Sequence, residues 1–171
     1  MTSPAFRPMI VMGVSGCGKS TVGQKLAARL DLDFIDGDDL HPKSNKEKMA
    51  AGHPLNDADR QPWLETIGDA LAASLQSGKP AVIACSALKR SYRDLLRSRE
   101  PNTLFVHLRG SSELIQQRLD ERSHEYMPPT LLASQLHALE AIGSDESAIE
   151  VDVAHTPDDI VAVVATHLVS F

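Results

Sequence analysis

The sequence predicts an α/β fold in which a parallel sheet of five strands is covered by helices on both faces. Short apolar segments alternate with amphipathic helical segments along the chain, which is the pattern of right-handed βαβ units. A glycine-rich turn follows the first apolar segment and opens the first helix. The length of 171 residues fits one domain, so we expect residues 1–171 to fold as a unit.

The first βα unit has the clearest pattern. The apolar run Met9–Met12 is typical of a buried parallel strand. After the glycine-rich turn, Val22, Leu26 and Leu30 recur at helical spacing. This spacing predicts a helix over Lys19–Leu30.

A second strand is predicted to start at Phe34-Ile35, and a polar stretch follows it. Within that stretch, Lys43–Ala51 has the composition of a short helix. An insertion of this kind, covering about residues 40–60 between a strand and the next long helix, is a natural substrate-binding element.

Helix boundaries follow from capping residues. We expect Asp59 to precede the helix after the insertion, with Pro62 in its first turn and Trp63 in the core, and Ser86 to cap the helix after the third strand. Thr156 is the expected N-cap of the last helix, followed by Pro157. The other strands are predicted at Ala81–Cys85, Thr103–Leu108 and Ala148–Val153, and the other helices at Glu113–Glu121 and Leu131–Leu139.

The turn between the first strand and the first helix fits the pattern G-x-x-x-x-G-K-[ST], the phosphate-binding loop of P-loop NTPases. Its glycines let successive backbone N–H groups point at phosphate oxygens, and the helix N-terminus adds its positive dipole end. Lys19 is expected to reach the β- and γ-phosphates of ATP, and the Ser20 hydroxyl to bind Mg²⁺. The predicted nucleotide-binding residues are Gly13, Val14, Ser15, Gly16, Cys17, Gly18, Lys19, Ser20 and Thr21.

The charge of the chain limits its partners. The formal net charge is −6, whereas a nucleic-acid-binding protein normally carries a basic face, so we expect no nucleic acid partner. An anionic substrate would need local positive charge. The apolar runs are too short to cross a bilayer, which takes about 20 residues, and we expect a cytoplasmic protein that does not bind membranes.

Two carboxylates, Asp36 and Asp38, lie at the end of the second strand. Ligands of open parallel sheets bind beyond the carboxyl ends of the strands. Alternate residues there can face one site, so one carboxylate could hold Mg²⁺ through water while the other accepts the proton of an attacking hydroxyl.

Basic residues occur at two further places. Lys89 and Arg93 are four residues apart, which predicts a two-charge helix face for a carboxylate or phosphate substrate. Arg118 and Arg122 flank the start of a polar loop over Arg122–Pro129, a predicted mobile lid that could bring arginines onto the transferring phosphoryl group.

The phosphate loop alone leaves several functions open. GTPases usually carry Asn-Lys-x-Asp, but the sole Asn45-Lys46 pair here is followed by Glu47 and Lys48. A small-metabolite kinase is favoured. The alternatives are a shikimate or adenylylsulfate kinase, or a nucleotide-dependent regulatory module, although the acidic strand end and the basic helix argue against the module.

The chain resembles the gluconate kinase (gluconokinase) family of small P-loop kinases, related to shikimate kinase and the nucleoside monophosphate kinases. Beyond the phosphate loop, the resemblance lies in DGDDLHP at 36–42, Lys48-Met49 with Gly52 and Pro54-Leu55, DADRQPWL at 57–64, ACSALKRSYR at 84–93, RSHEYM at 122–127 and LLASQ at 131–135. It extends from about residue 9 to residue 153.

The resemblance implies an enzyme that phosphorylates the 6-hydroxyl of D-gluconate with ATP, has a mobile lid over about residues 122–129 and often forms a homodimer. It implies that Asp38 faces the substrate hydroxyl and that Asp36 is a carboxylate on the Mg²⁺ side. Catalysis is then expected from Asp38, Lys19, Arg118 and Arg122. The implied contacts to the sugar acid are Asp38, His41, Arg60, Lys89, Arg93 and, from the lid, His124.

Overall fold

The computed structural model describes residues 6–121 and 129–169. Its sheet has five parallel strands in the order β2-β3-β1-β4-β5, which confirms the predicted fold class. The strands are β1 Met9–Met12, β2 Phe34–Asp36, β3 Val82–Ala84, β4 Leu104–Arg109 and β5 Ala148–Asp152. The helices are α1 Lys19–Leu30, α2 Lys43–Ala50, α3 Asp57–Gln76, α4 Arg90–Arg99, α5 Ser112–Glu121, α6 Pro129–Ala138 and α7 Pro157–Val169, with a 3₁₀ turn at Gly37–Leu40.

Strand β1 is the centre of the sheet. Met9 is in register with Val82 of β3 on one side and with Leu104 of β4 on the other. All four of its residues are fully buried, as expected for a strand covered on both faces. The bounds of β1 and α1 are as predicted.

Two apolar clusters cover the two faces of the sheet. The odd residues of β1 pack with Leu26 of α1 and Val164 of α7, whereas its even residues pack with Ile67 of α3 and Leu96 of α4. This division follows from the alternation of side chains along a strand. The β1–α1 turn is thereby held between two packed layers.

Helix α3 begins at Asp57, three residues earlier than expected. Its N-cap is Asn56, whose side chain accepts the Asp59 N–H at 2.8 Å, while the Asp59 carboxylate accepts the Asn56 N–H at 3.0 Å. Asp59 is thus the third residue of a capping box and not the cap itself. Arg60 follows it as the fourth residue of α3 and lies in the first turn.

The prediction that Ser86 caps the fourth helix is wrong. Ala87 has a left-handed φ of 47°, which is not helical, and α4 starts only at Arg90 after the extended N-cap Lys89. In this non-helical segment, residues 86–89, the Ser86 carbonyl oxygen accepts the Gly13 N–H at 3.3 Å.

At the C-terminus, Thr156 caps α7 as predicted, since its hydroxyl accepts the Asp159 N–H at 3.2 Å. Across the described ranges, no helix has both the length and the apolar character needed to span a membrane. The predicted lid residues Arg122 and His124 lie outside the described residues, and Pro129 is the first residue of α6.

Candidate active site

The phosphate loop connects β1 to α1, and its glycines are required by close contacts or by positive φ angles. A Cβ at Gly13 would lie 2.7 Å from Cys17 Sγ and from the Leu108 carbonyl oxygen. Gly18 has a φ of 95° and precedes α1 without any side chain capping the helix. The first N–H groups of α1 are therefore available to an anion.

The two polar residues that end the loop lie beside a large cleft. Lys19 Nζ donates to the Val14 carbonyl oxygen at 3.2 Å, and the Ser20 residue is exposed. The cleft has a volume of about 610 Å³. Its lining includes the loop residues Ser15, Lys19 and Ser20, the sheet-edge residues Asp36, Asp38, Ala84, Cys85 and Ser86, and His41, Met49, Gly52, His53, Pro54, Leu55, Arg60, Trp63 and Gln135.

The end of β2 turns sharply so that both predicted carboxylates line the cleft. Asp36 Oδ1 accepts the Asp38 N–H at 3.0 Å and so starts the 3₁₀ turn. Gly37 between them is buried, and a Cβ there would collide with the Ala84 carbonyl oxygen. A side chain at this position would push the turn away from β3.

Asp38 has the electrostatics of a proton acceptor. Although the residue as a whole is exposed, loss of hydration around its carboxyl raises its pKa, and the charge of Asp36 raises it further. The charges of His41 and Lys19 act in the opposite direction. The carboxylate therefore holds a proton more readily than an ordinary aspartate.

A stacked pair of rings forms one wall of the cleft. The rings of His41 and Trp63 lie 4.1 Å apart, and Trp63 Nε1 donates to the Gly37 carbonyl oxygen at 2.7 Å. His41 Nδ1 lies 3.2 Å from the amide nitrogen of Asn45, and partial burial lowers the His41 pKa, favouring a neutral ring. Trp63 is 5% exposed, as a core residue should be, yet it also lines the cleft.

Arg60 is the arginine among the described residues that line the cleft. Its guanidinium donates to the Tyr92 hydroxyl at 3.2 Å and lies 3.7 Å from Asp57. A third of its side chain remains exposed toward the cleft. The geometry leaves Arg60 able to bind an anionic group.

The predicted two-charge face of α4 is not formed. Lys89 lies outside the cleft lining and binds Asp57 at 3.3 Å. The Arg93 side chain is fully buried, and its Nε donates to Glu146 at 2.8 Å. Arg93 also donates to the carbonyl oxygens of Ala87, Leu88, Glu140 and Ala141. Its donors are thus used within the protein, which makes it a structural residue.

A second pocket, of about 370 Å³, lies on the other side of the phosphate loop. Arg118 lines it, as do Glu121 of α5 and His155 and Pro157 at the start of α7. Gly16, Cys17, Gly18 and Thr21 of the loop form its inner side. This pocket is the natural place for the nucleoside part of a nucleotide whose phosphates lie on the loop.

Sequence reasoning gave no binding role to several residues of the cleft, among them the polar residues His53, Ser86 and Gln135. Gln135 had a signal, because it ends the LLASQ segment by which the chain resembles gluconate kinases. His53 has only its place between Gly52 and Pro54 in the polar insertion as a hint. Ser86 was interpreted as a helix cap and so was given no role in binding.

Comparisons with known proteins agree with this architecture. Residues 15–164 match the family model described as shikimate kinase. The thermoresistant gluconokinase of Escherichia coli strain K12 is 44% identical over 90% of this chain and 88% of its own. The gluconokinase of Gluconobacter oxydans is 47% identical, over 94% of this chain and 90% of its own.

Among solved structures, the gluconokinase of Sinorhizobium meliloti 1021 superposes with a TM-score of 0.85 at 43% identity. The match covers 99% of this chain and 94% of that one. A parallel sheet, a phosphate loop and an acceptor cleft beside it define a P-loop kinase, a transferase of phosphoryl groups. Within that class, the chain belongs to the gluconokinase family, as these identities and coverages show.

Proposed function

We propose that this kinase transfers the γ-phosphoryl group of ATP to the 6-hydroxyl of D-gluconate, giving 6-phospho-D-gluconate and ADP. The observation that carries the proposal is that Lys19 and Ser20 of the phosphate loop line the same cleft as Asp38 and Arg60. The residues that bind the phosphoryl donor, the proton acceptor and the anion-binding group thus face one cleft. The shared family with gluconokinases indicates which acceptor fills it.

Gluconate suits the acceptor half of the cleft by its charge and its hydroxyl groups. The protein has a net charge of −6, so an anion needs the local positive charge of Lys19 and Arg60. We assign the carboxylate of gluconate to Arg60 and the hydroxyl groups of gluconate to the polar groups near His41. In this orientation the 6-hydroxyl points toward the phosphate loop.

In the proposed reaction, a bond forms between the 6-oxygen and the γ-phosphorus while the bond from that phosphorus to the β,γ-bridging oxygen breaks. ADP carries away the electron pair. The hydroxyl proton passes to the Asp38 carboxylate, whose raised pKa favours that transfer. Since phosphoryl transfer has a loose transition state, aiming the hydroxyl is as important a task for Asp38 as taking its proton.

The donor set of the cleft fits Mg²⁺. The Ser20 hydroxyl and the Asp36 carboxylate are hard oxygen ligands, and Asp36 has one oxygen beyond the one that accepts the Asp38 N–H. Among the described residues, no group of three or more His, Cys, Asp and Glu side chains could hold a metal. The protein would thus supply one or two ligands to an ion that, when bound with ATP, neutralises phosphate charge.

The resemblance to gluconate kinases also suggests roles for residues outside the cleft. Arg118 lines the second pocket, so we assign it to the nucleotide side, with the adenosine near His155. Arg122 and His124 are proposed to act from a mobile lid. A homodimer, a cytoplasmic location and a single domain over residues 1–171 with its acceptor-binding insertion at 40–60 stay predictions.

A coupled assay of ADP release with Mg²⁺-ATP tests the proposal. D-gluconate should stimulate ADP release strongly, and shikimate, adenylylsulfate and other sugar acids should not. Fast turnover with one of those other acceptors would keep the kinase and refute the substrate. No stimulation by any acceptor would favour a regulatory nucleotide-binding protein.

A further inference from the structure

A side-chain amide joins helix α6 to the phosphate loop. Gln135 Oε1 accepts the Ser15 N–H at 2.7 Å, and Gln135 Nε2 donates to Ser15 Oγ at 2.9 Å. Both ends of one amide thus engage one residue that is 120 positions away in the chain. Only an amide side chain offers an acceptor and a donor side by side in this way.

The joined pair lies where donor and acceptor must meet. Ser15 belongs to the phosphate loop, and Gln135 lines the 610 Å³ cleft together with Lys19 and Asp38. Among the described side chains of α6, Gln135 is the one that lines this cleft. Its Nε2 carries two hydrogens, and one of them forms the hydrogen bond to the Ser15 hydroxyl.

We propose that Gln135 is a positioning residue for phosphoryl transfer, which acts through Ser15 by holding that part of the phosphate loop in place. The phosphate loop works by aiming backbone N–H groups at phosphate oxygens, so a shift of the loop misplaces the γ-phosphoryl group relative to the acceptor. The Ser15 N–H is satisfied within the protein, which fixes the direction in which this peptide faces. This inference rests on the proposed kinase reaction.

The packing of α6 explains why the amide pair is needed. Leu132 is 3% exposed and anchors α6 in the apolar cluster of α1 and α7, while Ala133 and Ser134 are exposed. Apolar packing is not directional, so it leaves the helix free to make small shifts. The two hydrogen bonds to Ser15 add the direction that reaction geometry needs.

Substitution with a matched control tests the inference. Gln135→Ala, and Gln135→Met, which keeps the side-chain volume, should each lower kcat about tenfold while KM for ATP stays within about threefold. Ser15→Ala removes one of the two bonds and should lower kcat about threefold. Gln117→Ala removes an exposed amide from α5 and should leave both parameters unchanged.

The double variant S15A/Q135A separates positioning from unrelated damage. If the two side chains act through each other, the double variant should be no slower than Gln135→Ala alone. Multiplying effects, or a Gln135→Met enzyme that keeps the wild-type kcat, would overturn the inference. Each kcat is compared with that of the wild type, measured with whichever acceptor the wild type uses or as ATP hydrolysis without an acceptor. Failure of gluconate as a substrate is therefore distinguished from failure of this inference.

Discussion

Arg60 of the cleft and Arg93 of helix α4 are arginines with opposite surroundings. Arg60 keeps a third of its side chain exposed and has one neutral partner, the Tyr92 hydroxyl, within hydrogen-bond distance. Arg93 is fully buried, and its guanidinium is shared between the Glu146 carboxylate and four carbonyl oxygens. A ligand can compete for the first guanidinium but not for the second.

The buried guanidinium still matters for the site. Arg93 donates to the carbonyl oxygens of Ala87 and Leu88. It thereby holds the segment 86–89, which begins with the cleft residue Ser86. Through Glu146 it also fixes the segment before β5. The contrast teaches that the same residue type is open to a ligand in one place and supports the backbone that frames the cleft in another.

Of these predictions, Arg93→Ala has the largest expected effect, which is a loss of stability. Removing one partner of a buried ion pair costs about 3–5 kcal/mol, because the Glu146 carboxylate and the carbonyl oxygens are left unpaired. Urea unfolding should show this loss in the free energy of unfolding. Arg99→Ala on the same helix is the control, since its pairs with Glu65 and Asp69 are at the surface and worth about 1 kcal/mol at most.

The same pair should make stability depend on pH. Burial acts to raise the pKa of Glu146, but hydrogen bonds from Arg93, the Gly143 N–H and Arg97 outweigh it and lower that pKa from 4.5 to about 2. A lowered folded-state pKa means that the stabilisation is complete above about pH 4.5 and is lost as the pH falls toward 2. Glu146→Gln should flatten this part of a pH–stability curve; an unchanged slope would contradict the assignment.

In the cleft, Asp38→Asn should change turnover and leave stability alone. The amide has almost the shape of the carboxylate but cannot take the hydroxyl proton, so kcat should fall about 100-fold while KM for ATP changes little. Asp39→Asn, next to it and outside the cleft lining, is the control. Because the pKa of Asp38 is raised, the rate should fall on acidification at a higher pH than an ordinary aspartate would give. An unchanged kcat in Asp38→Asn would rule out the role.

What the sequence could and could not predict follows from the distance between interacting residues. The phosphate loop and the bounds of α1 depend on neighbours within one βα unit, and they were predicted correctly. Arg93 was misplaced because its partner Glu146 is 53 positions away, so its helical spacing from Lys89 indicated a surface face. The Ser15–Gln135 pair was missed for the same reason, at a separation of 120.

The local errors have a different cause. Asn56 and Asp59 are both good capping residues, and only the geometry shows which one precedes the helix. Near Ser86, the left-handed φ of Ala87 could not be foreseen, because a residue other than glycine rarely adopts it. Both errors moved a helix start, and the second placed Lys89 inside a helix that begins only at Arg90.

Arg60→Ala should have the smallest of these effects, and on substrate recognition. If Arg60 binds the carboxylate of gluconate, its loss should raise KM for gluconate about 10- to 30-fold, with a smaller fall in kcat and no change in the free energy of unfolding. Lys43→Ala is the control, because Lys43 is a cation of the same insertion that is 91% exposed and outside the cleft lining.

A neutral analogue makes the Arg60 test specific. D-glucitol carries a hydroxymethyl group in place of the carboxylate, so the wild type should strongly prefer gluconate. Arg60→Ala should lose most of that preference, because it weakens the binding of gluconate alone. If the variant binds both acceptors more weakly by the same factor, Arg60 shapes the cleft and does not bind the carboxylate. The carboxylate would then need another cation, and Lys19, which lines the cleft at the phosphate loop, and the proposed lid residue Arg122 would be the next to substitute.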